Sequence, residues 1–329
     1  MVYVSAMASS EPAYDPKRTG SWLVCTACGT QFPTSNRQEV KTCFICDDPR
    51  QFTPPTGQAF TTLDELRSNT KNTWTPFRDT DKLISIVTEP KVAIGQRAIL
   101  VKTDSGNVLW DCLTLLDDET IDKIKGMGGL KAIVISHPHY YTTHVEWARA
   151  FDCPVYLAAE DKQWTTQSSA HQVFVEKRIL HLEIDGAWSG ITVLKLGGHF
   201  PGSSVALYGE RLLIADTFVT TPSGLGSWNT DAVGTARARP AGMNSYAFMW
   251  SIPNMIPLEP DQLARMWSTL KMYDFSSTHG AFLNTDVVKT VAEMKHSVLE
   301  SMQIQTRHMG HGEHALLKQG LGWVPFNFK

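Results

Sequence analysis

Two sets of residues in this chain have the types and spacing for metal chemistry. Cys25-Thr-Ala-Cys28-Gly29 and Cys43-Phe-Ile-Cys46 are two C-x2-C pairs. Each pair can set two thiolates on one tetrahedral ion, and two pairs complete a closed, structural four-thiolate site with no open position for substrate. Gly29 suits the tight turn in which backbone N–H groups approach sulfur. The second set lies at the ends of apolar runs. Ala132-Ile-Val-Ile-Ser-His137-Pro-His139 reads as a buried strand ending in two imidazoles on one side, because alternate strand residues share a face. Leu194-Lys-Leu-Gly-Gly-His199 runs another strand into a glycine turn at a histidine. Leu213-Ile-Ala-Asp216 ends a strand in an acid, and Ser276-Ser-Thr-His279-Gly280 ends a further apolar segment in a histidine. Metal-type residues recurring at four strand ends point to a second metal centre.

The elements that must position these residues change character along the chain. Residues 1–18 are polar and read as a flexible tail. Residues 19–58 form the cysteine-bearing module, closed by Thr53-Pro-Pro-Thr-Gly57, and 59–80 form a linker. The linker holds one short helix, 62–68, with Thr62 and Glu65 as a capping box. From Asp81 to the end, short β-branched runs predict strands at 83–87, 98–101, 108–110, 132–135, 155–157, 191–194, 205–208 and 212–215. Helices are expected at 118–125, 144–151, 262–273 and 286–302. Strands and helices interleave, which predicts an α/β domain of layered sheets over 81–329.

Composition narrows the partners. Lys and Arg number 30 against 33 Asp and Glu, a net charge of −3. A surface so nearly neutral argues against nucleic acid, whose phosphates need a basic face. No apolar run is long enough to span a membrane, and the N-terminus lacks the basic start and apolar stretch of a signal peptide. The expected compartment is the cytoplasm, where six cysteines are not a disulfide framework. The partner expected is a small-molecule substrate, with neither nucleic acid nor membrane; a homo-oligomer stays open.

The cysteine segment resembles a zinc ribbon or a rubredoxin-like module, with zinc favoured over iron. A segment of about 40 residues cannot bury a sufficient core alone, so a metal staple is expected physically. The stretch 81–329 resembles the metallo-β-lactamase superfamily in Asn107-Val-Leu-Trp-Asp111, Ile135-Ser-His-Pro-His139, Gly197-Gly-His-Phe-Pro-Gly-Ser203, Leu212-Leu-Ile-Ala-Asp-Thr217 and Ser277-Thr-His-Gly280. The resemblance implies a four-layer αβ/βα fold with metals at the sheet rim. It implies His137, His139 and His199 as ligands of a first ion, Asp216 as an acid bridging two ions, and His279 as a ligand of a second. The family's His-x-His-x-Asp-His motif is altered here. Tyr141 stands at the acid and Thr142 at the third histidine, unless a two-residue insertion lets His144 serve. One active-site zinc is therefore favoured over two, beside the structural ion at Cys25, Cys28, Cys43 and Cys46.

On this reading a zinc-bound hydroxide attacks a small ester, lactone, thioester or lactam. Asp216 orients the water or accepts its proton. Tyr141, and after it Tyr140, can donate to the oxyanion or the leaving group. Asp111 ends a strand where the family commonly has an acid that orients the metal loop. Residues 246–255, rich in aromatics and Met, read as a loop lining an apolar pocket, with core packing as the alternative. Trp228 falls in a Gly/Thr/Ser-rich segment that reads as a mobile lid. Cys112 and Cys153 read as buried apolar residues, and His308, His311 and His314 as a solvated loop. Two rival readings are a rubredoxin-linked di-iron oxidoreductase and a non-catalytic binding or oligomerising relative.

Overall fold

The computed structural model describes residues 12–240 and 242–320. Most of the expected tail and the last residues of the 81–329 domain lie outside the described residues. Pro16–Thr19 forms a helical turn, capped by the Asp15 carboxylate on the Lys17 N–H. Thr19 donates to the buried Glu146 carboxylate. The chain divides into two compact units. One takes Phe52–Val175 and the described residues up to Asp47; the other takes Asp48–Gln51 and the described residues from Glu176 onward.

The first unit is built on a seven-stranded mixed sheet. Its strands are β1 (Lys71–Pro76), β2 (Leu83–Glu89), β3 (Arg97–Thr103), β4 (Gly106–Trp110), β5 (Ala132–Val134), β6 (Val155–Ala158) and β7 (Gln172–Val175), hydrogen-bonded in that order. β1 to β4 run as an antiparallel meander, and β4 to β7 are parallel. The sequence at Ala98–Val101 is continuously apolar rather than alternating, and the strand is buried along both faces there. Parallel strands need crossovers. Helix α2 (Asp118–Gly126) supplies one and α3 (His144–Phe151) another, after α1 (Leu63–Asn69) earlier in the chain. Asp117 caps α2 on the Thr120 N–H, acids fill its first turn and lysines its last, all favourable to the helix dipole. Ile121 and Ile124 form its buried stripe.

The second unit repeats the plan. Strands β8 (Ile179–Ile184), β9 (Ala187–Lys195), β10 (Ser204–Tyr208) and β11 (Arg211–Leu213) form an antiparallel meander. Strand β12 (Ser277–His279) then adds parallel to β11, and β13 (Val287–Val288) closes the edge antiparallel. Helices α4 (Pro260–Leu270) and α5 (Val291–His308) bury Leu263, Met266, Trp267 and Leu270, and Met294, Val298, Leu299 and Met302, in one core with Leu194, Val205 and Leu212. These spacings of three and four residues are the stripe a helix presents to a sheet. The mixed α/β expectation therefore holds, with a sheet flanked by helices in each unit.

Some local expectations shift. Val287–Val288 pairs with β12 instead of opening a helix, and α5 begins only after a full capping box of Thr290 with Glu293. At α1 the Thr62 hydroxyl caps the Glu65 N–H, but the Glu65 carboxylate turns to Thr61. The stretch from Tyr246 takes the core-packing alternative at Tyr246 and Phe248. It forms short strands at Tyr246–Ala247 and Met249–Ser251, and Tyr246 and Phe248 enter the core beside Phe218, with ring centroids 4.8 and 5.0 Å away. Alternation sends these two rings inward, which a composition reading of the stretch does not reveal. His314 is pinned rather than solvated, its Nε2 3.0 Å from Asp261 and its Nδ1 accepting from the Leu316 N–H. Among the described residues no helix is long and apolar enough to cross a membrane.

The assignment of Phe248 to the core has a measurable consequence. Phe248→Ala is expected to cost about 3–5 kcal/mol in urea unfolding. Met255→Ala, at a side chain 77% exposed, should stay within about 0.5 kcal/mol. Equal small effects would return Phe248 to the loop reading.

Candidate metal centres

The four cysteines meet. Cys25 Sγ lies 3.6 Å from Cys46 Sγ and Cys28 Sγ 3.7 Å from Cys43 Sγ, with all four ligand atoms within 4.8 Å of one another. A tetrahedron with metal–sulfur bonds near 2.3 Å has edges of about 3.8 Å, whereas a disulfide needs about 2.05 Å. The spacing is that of ligands, and the donor set fits a tetrahedral ion. Crowding makes the same point electrostatically. Hydrogen bonds from Cys28, Cys43 and Cys46 draw the Cys25 sulfur toward thiolate, while its neighbours push the Cys46 thiol up.

Local structure fixes this knuckle. The Gly29 N–H donates to the Cys25 carbonyl at φ +79°, and a Cβ at Gly29 would meet Thr114 Oγ1 at 1.8 Å. Gln58 bonds both the N–H and the carbonyl of Cys43, and Thr53 donates to the Cys46 carbonyl. The module's apolar filling is thin, chiefly Leu23, Phe32, Val40 and Ile45, with Phe60 and Trp164 packed against it.

The histidines stand where strands end. β5 runs into Ser136-His137-Pro138-His139, and the two imidazoles sit with ring centroids 5.0 Å apart. Asp111, just past the end of parallel neighbour β4, is fully buried at φ +61°, and its Oδ1 accepts from the Ser136 N–H at 2.7 Å. Ser136 Oγ lies 2.8 Å from His137 Nδ1 and orients the ring. The acid expected to orient the loop is seen bonding the residue before His137.

β9 delivers His199 through Gly197 and Gly198, both at positive φ. A Cβ at Gly198 would meet Thr217 Oγ1 at 2.5 Å and Leu258 Cδ1 at 2.6 Å, so only glycine fits. The Thr217 hydroxyl donates to the Gly197 carbonyl and accepts from the His199 N–H, tying this turn to the residue after Asp216. His199 Nδ1 lies 2.8 Å from the Trp250 carbonyl, which can only accept, so Nδ1 carries the proton and Nε2 the lone pair. That Nε2 is 3.8 Å from Asp216 Oδ2. β9 and β11 point the same way in the sheet, which brings His199 and Asp216 to one edge.

All four of His137, His139, His199 and Asp216 are buried, the first two just past β5 in the first unit and the last two at one edge of the second unit's sheet. The other two candidates, His144 and His279, have side-chain partners within their own units. Both nitrogens of His144 are engaged, Nδ1 donating to the Tyr141 carbonyl at 2.7 Å and Nε2 accepting from Gln172 at 2.8 Å. Burial holds its pKa down at about 4. His279 contacts Ser277 Oγ through Nε2 at 3.0 Å and Asp286 through Nδ1 at 3.4 Å.

The altered motif positions are committed elsewhere. The Tyr141 hydroxyl donates to the Asp161 carbonyl at 3.3 Å, and burial raises its pKa well above the usual phenol value. Tyr140 is fully buried with its ring 5.3 Å from that of His137. Thr142 and Thr143 both donate to the Leu113 carbonyl, and Thr143 also reaches Thr114. Sequence reading missed Gln96, buried, whose side-chain amide donates to the carbonyls of both Cys28 and His139. It also missed Arg50, which donates to the His199 carbonyl at 3.0 Å. An isolated Gln or Arg carries no motif that would have exposed either.

The depressed His144 pKa sets a sign. The unfolded imidazole binds a proton below about 6.5, and the folded one only below about 4. Stability is therefore fully present above the unfolded pKa and falls as pH drops from about 6.5 to about 4. His144→Asn should flatten that slope in pH-dependent thermal melts relative to the parent chain; parallel slopes would contradict the assignment.

No protein-family model matches the chain. It is 36% identical over 277 residues to the uncharacterized protein YmaE of Bacillus subtilis strain 168, spanning 83% of this chain and 92% of that one. Among solved structures, the DIM-1 metallo-beta-lactamase aligns with a TM-score of 0.47 at 13% identity, over 72% of this chain and 98% of its own. FIM-1 of Pseudomonas aeruginosa, in a mono-zinc form, aligns at 0.45 and 12%, over 71% and 96%. A flavo di-iron protein of Thermotoga maritima aligns at 0.43 and 11%, over 71% and 61%.

Proposed function

The chain belongs to the family of YmaE of Bacillus subtilis, and from the residues it carries we propose that it is a metal-dependent hydrolase opening or cleaving a small ester, lactone, thioester or lactam. The observation that carries the proposal is that each unit ends strands in buried metal-type residues, His137 and His139 in the first and His199 and Asp216 in the second, with Ser136 Oγ against His137 Nδ1 and the Trp250 carbonyl against His199 Nδ1. Three imidazoles at strand ends are an open donor set of the kind catalytic zinc sites use. Zinc is the ion proposed here and at the four cysteines.

An ion bound there supplies Lewis acidity, which brings the pKa of a water molecule near neutrality and polarises a carbonyl. The protein's own part is orientation and proton transfer. The Trp250 carbonyl holds the His199 ring in the tautomer with its lone pair on Nε2, and Ser136 Oγ orients the His137 ring at Nδ1. Asp216 is the carboxylate of the set and accepts a proton from the attacking water. Tyr141 spends its hydroxyl on Asp161, so the proton chemistry falls to Asp216. A single ion is proposed, because Tyr141 and Thr142 supply no second-site ligand and His144 is committed to Tyr141 and Gln172. The same lack weighs against the di-iron oxidoreductase reading. The proposed setting is the cytoplasm, which keeps the cysteines reduced, with a small molecule as partner and neither nucleic acid nor membrane.

Metal analysis of the purified chain should give two ions per chain. His199→Ala should leave one and abolish hydrolysis, whereas Asp216→Asn should keep two while slowing turnover about 100-fold or more. The substrate class is read from a panel of one ester, one lactone, one thioester and one lactam at fixed zinc. Hydrolysis unaffected by either substitution would refute the mechanism.

A further inference from the structure

Gln96 and Arg50 share a feature that their surroundings do not require: each donates to the backbone carbonyl of a histidine in the four-residue set. Gln96 is 4% exposed and sits just before β3. Its side-chain amide donates to the Cys28 carbonyl at 2.8 Å and to the His139 carbonyl at 3.2 Å. An amide NH2 has two hydrogens, so one planar group can serve both acceptors. Cys28 precedes the Gly29 turn, fixed by its positive φ and its close approach to Thr114. His139 lies in the tight turn Pro138–Tyr140, where the Tyr141 N–H bonds back to Pro138. Both acceptors belong to stiff turns, and a shift in one is felt by the other.

A second contact lies within the second unit. Two residues after Cys46, the stretch Asp48–Gln51 leaves the knuckle. Asp48 grips the Arg50 guanidinium at 2.6 and 2.7 Å. Arg50 Nη1 donates to the His199 carbonyl, and the guanidinium lies 3.9 Å from the centroid of the Phe200 ring. The Pro49 carbonyl accepts from Ser251 at 2.6 Å and Asn254 at 2.7 Å, next to Trp250, whose own carbonyl holds His199 Nδ1.

We propose that Gln96 is a positioning residue within the first unit, so that the ion at the cysteines sets the geometry of the turn that carries His139 and with it the metal affinity of the histidines; Arg50 holds the His199 carbonyl separately, within the second unit. The cysteine module then does more than close its own fold. The proposal rests on the hydrolase reading of the histidine set and goes beyond it by naming what controls that set. Neither residue touches the reacting atoms.

The test uses the full chain with zinc at the cysteines and cobalt at the histidines, where cobalt reports its ligand geometry by visible absorption. Gln96→Leu and Gln96→Glu, which both lose the donor, should weaken cobalt binding at the histidine centre about tenfold or more, as removal of outer-shell partners does. Both should shift its d–d bands, while zinc at the cysteines is retained. A variant-free arm replaces the cysteine zinc with the larger cadmium ion in the unsubstituted chain, and the cobalt bands at the histidines should move. That arm decides alone if a Gln96 variant does not fold. Cobalt affinity within twofold and unmoved bands in every arm would overturn the coupling. An unsubstituted chain that binds cobalt only at its cysteines would instead refute the hydrolase reading, a separate result.

Discussion

A histidine presents one ring nitrogen to a metal reliably only when the other nitrogen and the backbone beneath it are already held. Most of what surrounds the histidine set serves that constraint. Ser136 and the Trp250 carbonyl take the Nδ1 positions of His137 and His199. Below the rings, Asp111 holds the Ser136 N–H and Thr217 closes the glycine turn that carries His199. The cost of such an arrangement is backbone strain and buried polarity. Asp111 sits at φ +61° with its carboxylate fully buried, and Gly198 occupies a place no other residue could fill. Strained and buried polar positions of this kind persist where surrounding structure over-determines them.

The altered motif follows from the same constraint. Where the resemblance implies an acid and a third histidine, the chain has Tyr141 and Thr142, and their hydroxyls bond backbone carbonyls at Asp161 and Leu113. Thr143 and the Trp147 indole join Thr142 on the Leu113 carbonyl. These residues exchange metal-type side chains for hydrogen bonds that tie the loop after His139 to the stretch after β4. His144 is carried with them. One turn into α3, it fills a buried slot as a neutral ring whose two nitrogens are both satisfied.

Both metal-type groups were legible in the sequence because each rests on a local pattern. Paired C-x2-C spacing and apolar runs ending in His or Asp survive without knowledge of the fold. Strands β2 to β6 and helices α2 and α3 were legible for the same reason, since their periodicity and caps lie within one segment. What was not legible depends on partners distant in sequence. Tyr246 and Phe248 look like loop aromatics until Phe218 and the helices close on them. Val287–Val288 looks like a helix start until Ser277–Thr278 offers an edge to pair with. Gln96 and Arg50 have no signature at all, because their importance lies in which carbonyls they meet. The side-chain partners of His144 and His279 likewise rest on hydrogen bonds that spacing does not encode.

The thin filling of the cysteine module gives these contacts their direction. A segment this small, with Leu23, Phe32, Val40 and Ile45 as its main apolar residues, gains most of its stability from a bound ion. Its turns are rigid in proportion to how well that ion is held. Gln96 transmits the rigidity of those turns, and it does so through backbone carbonyls, which move only if a whole peptide unit moves. A side chain bonded to another side chain would leave rotamer freedom between the parts. Bonding to the main chain at Cys28 and His139 removes it. The ion at the cysteines thereby does for these loops what a sheet's hydrogen bonds do for the strands that precede them.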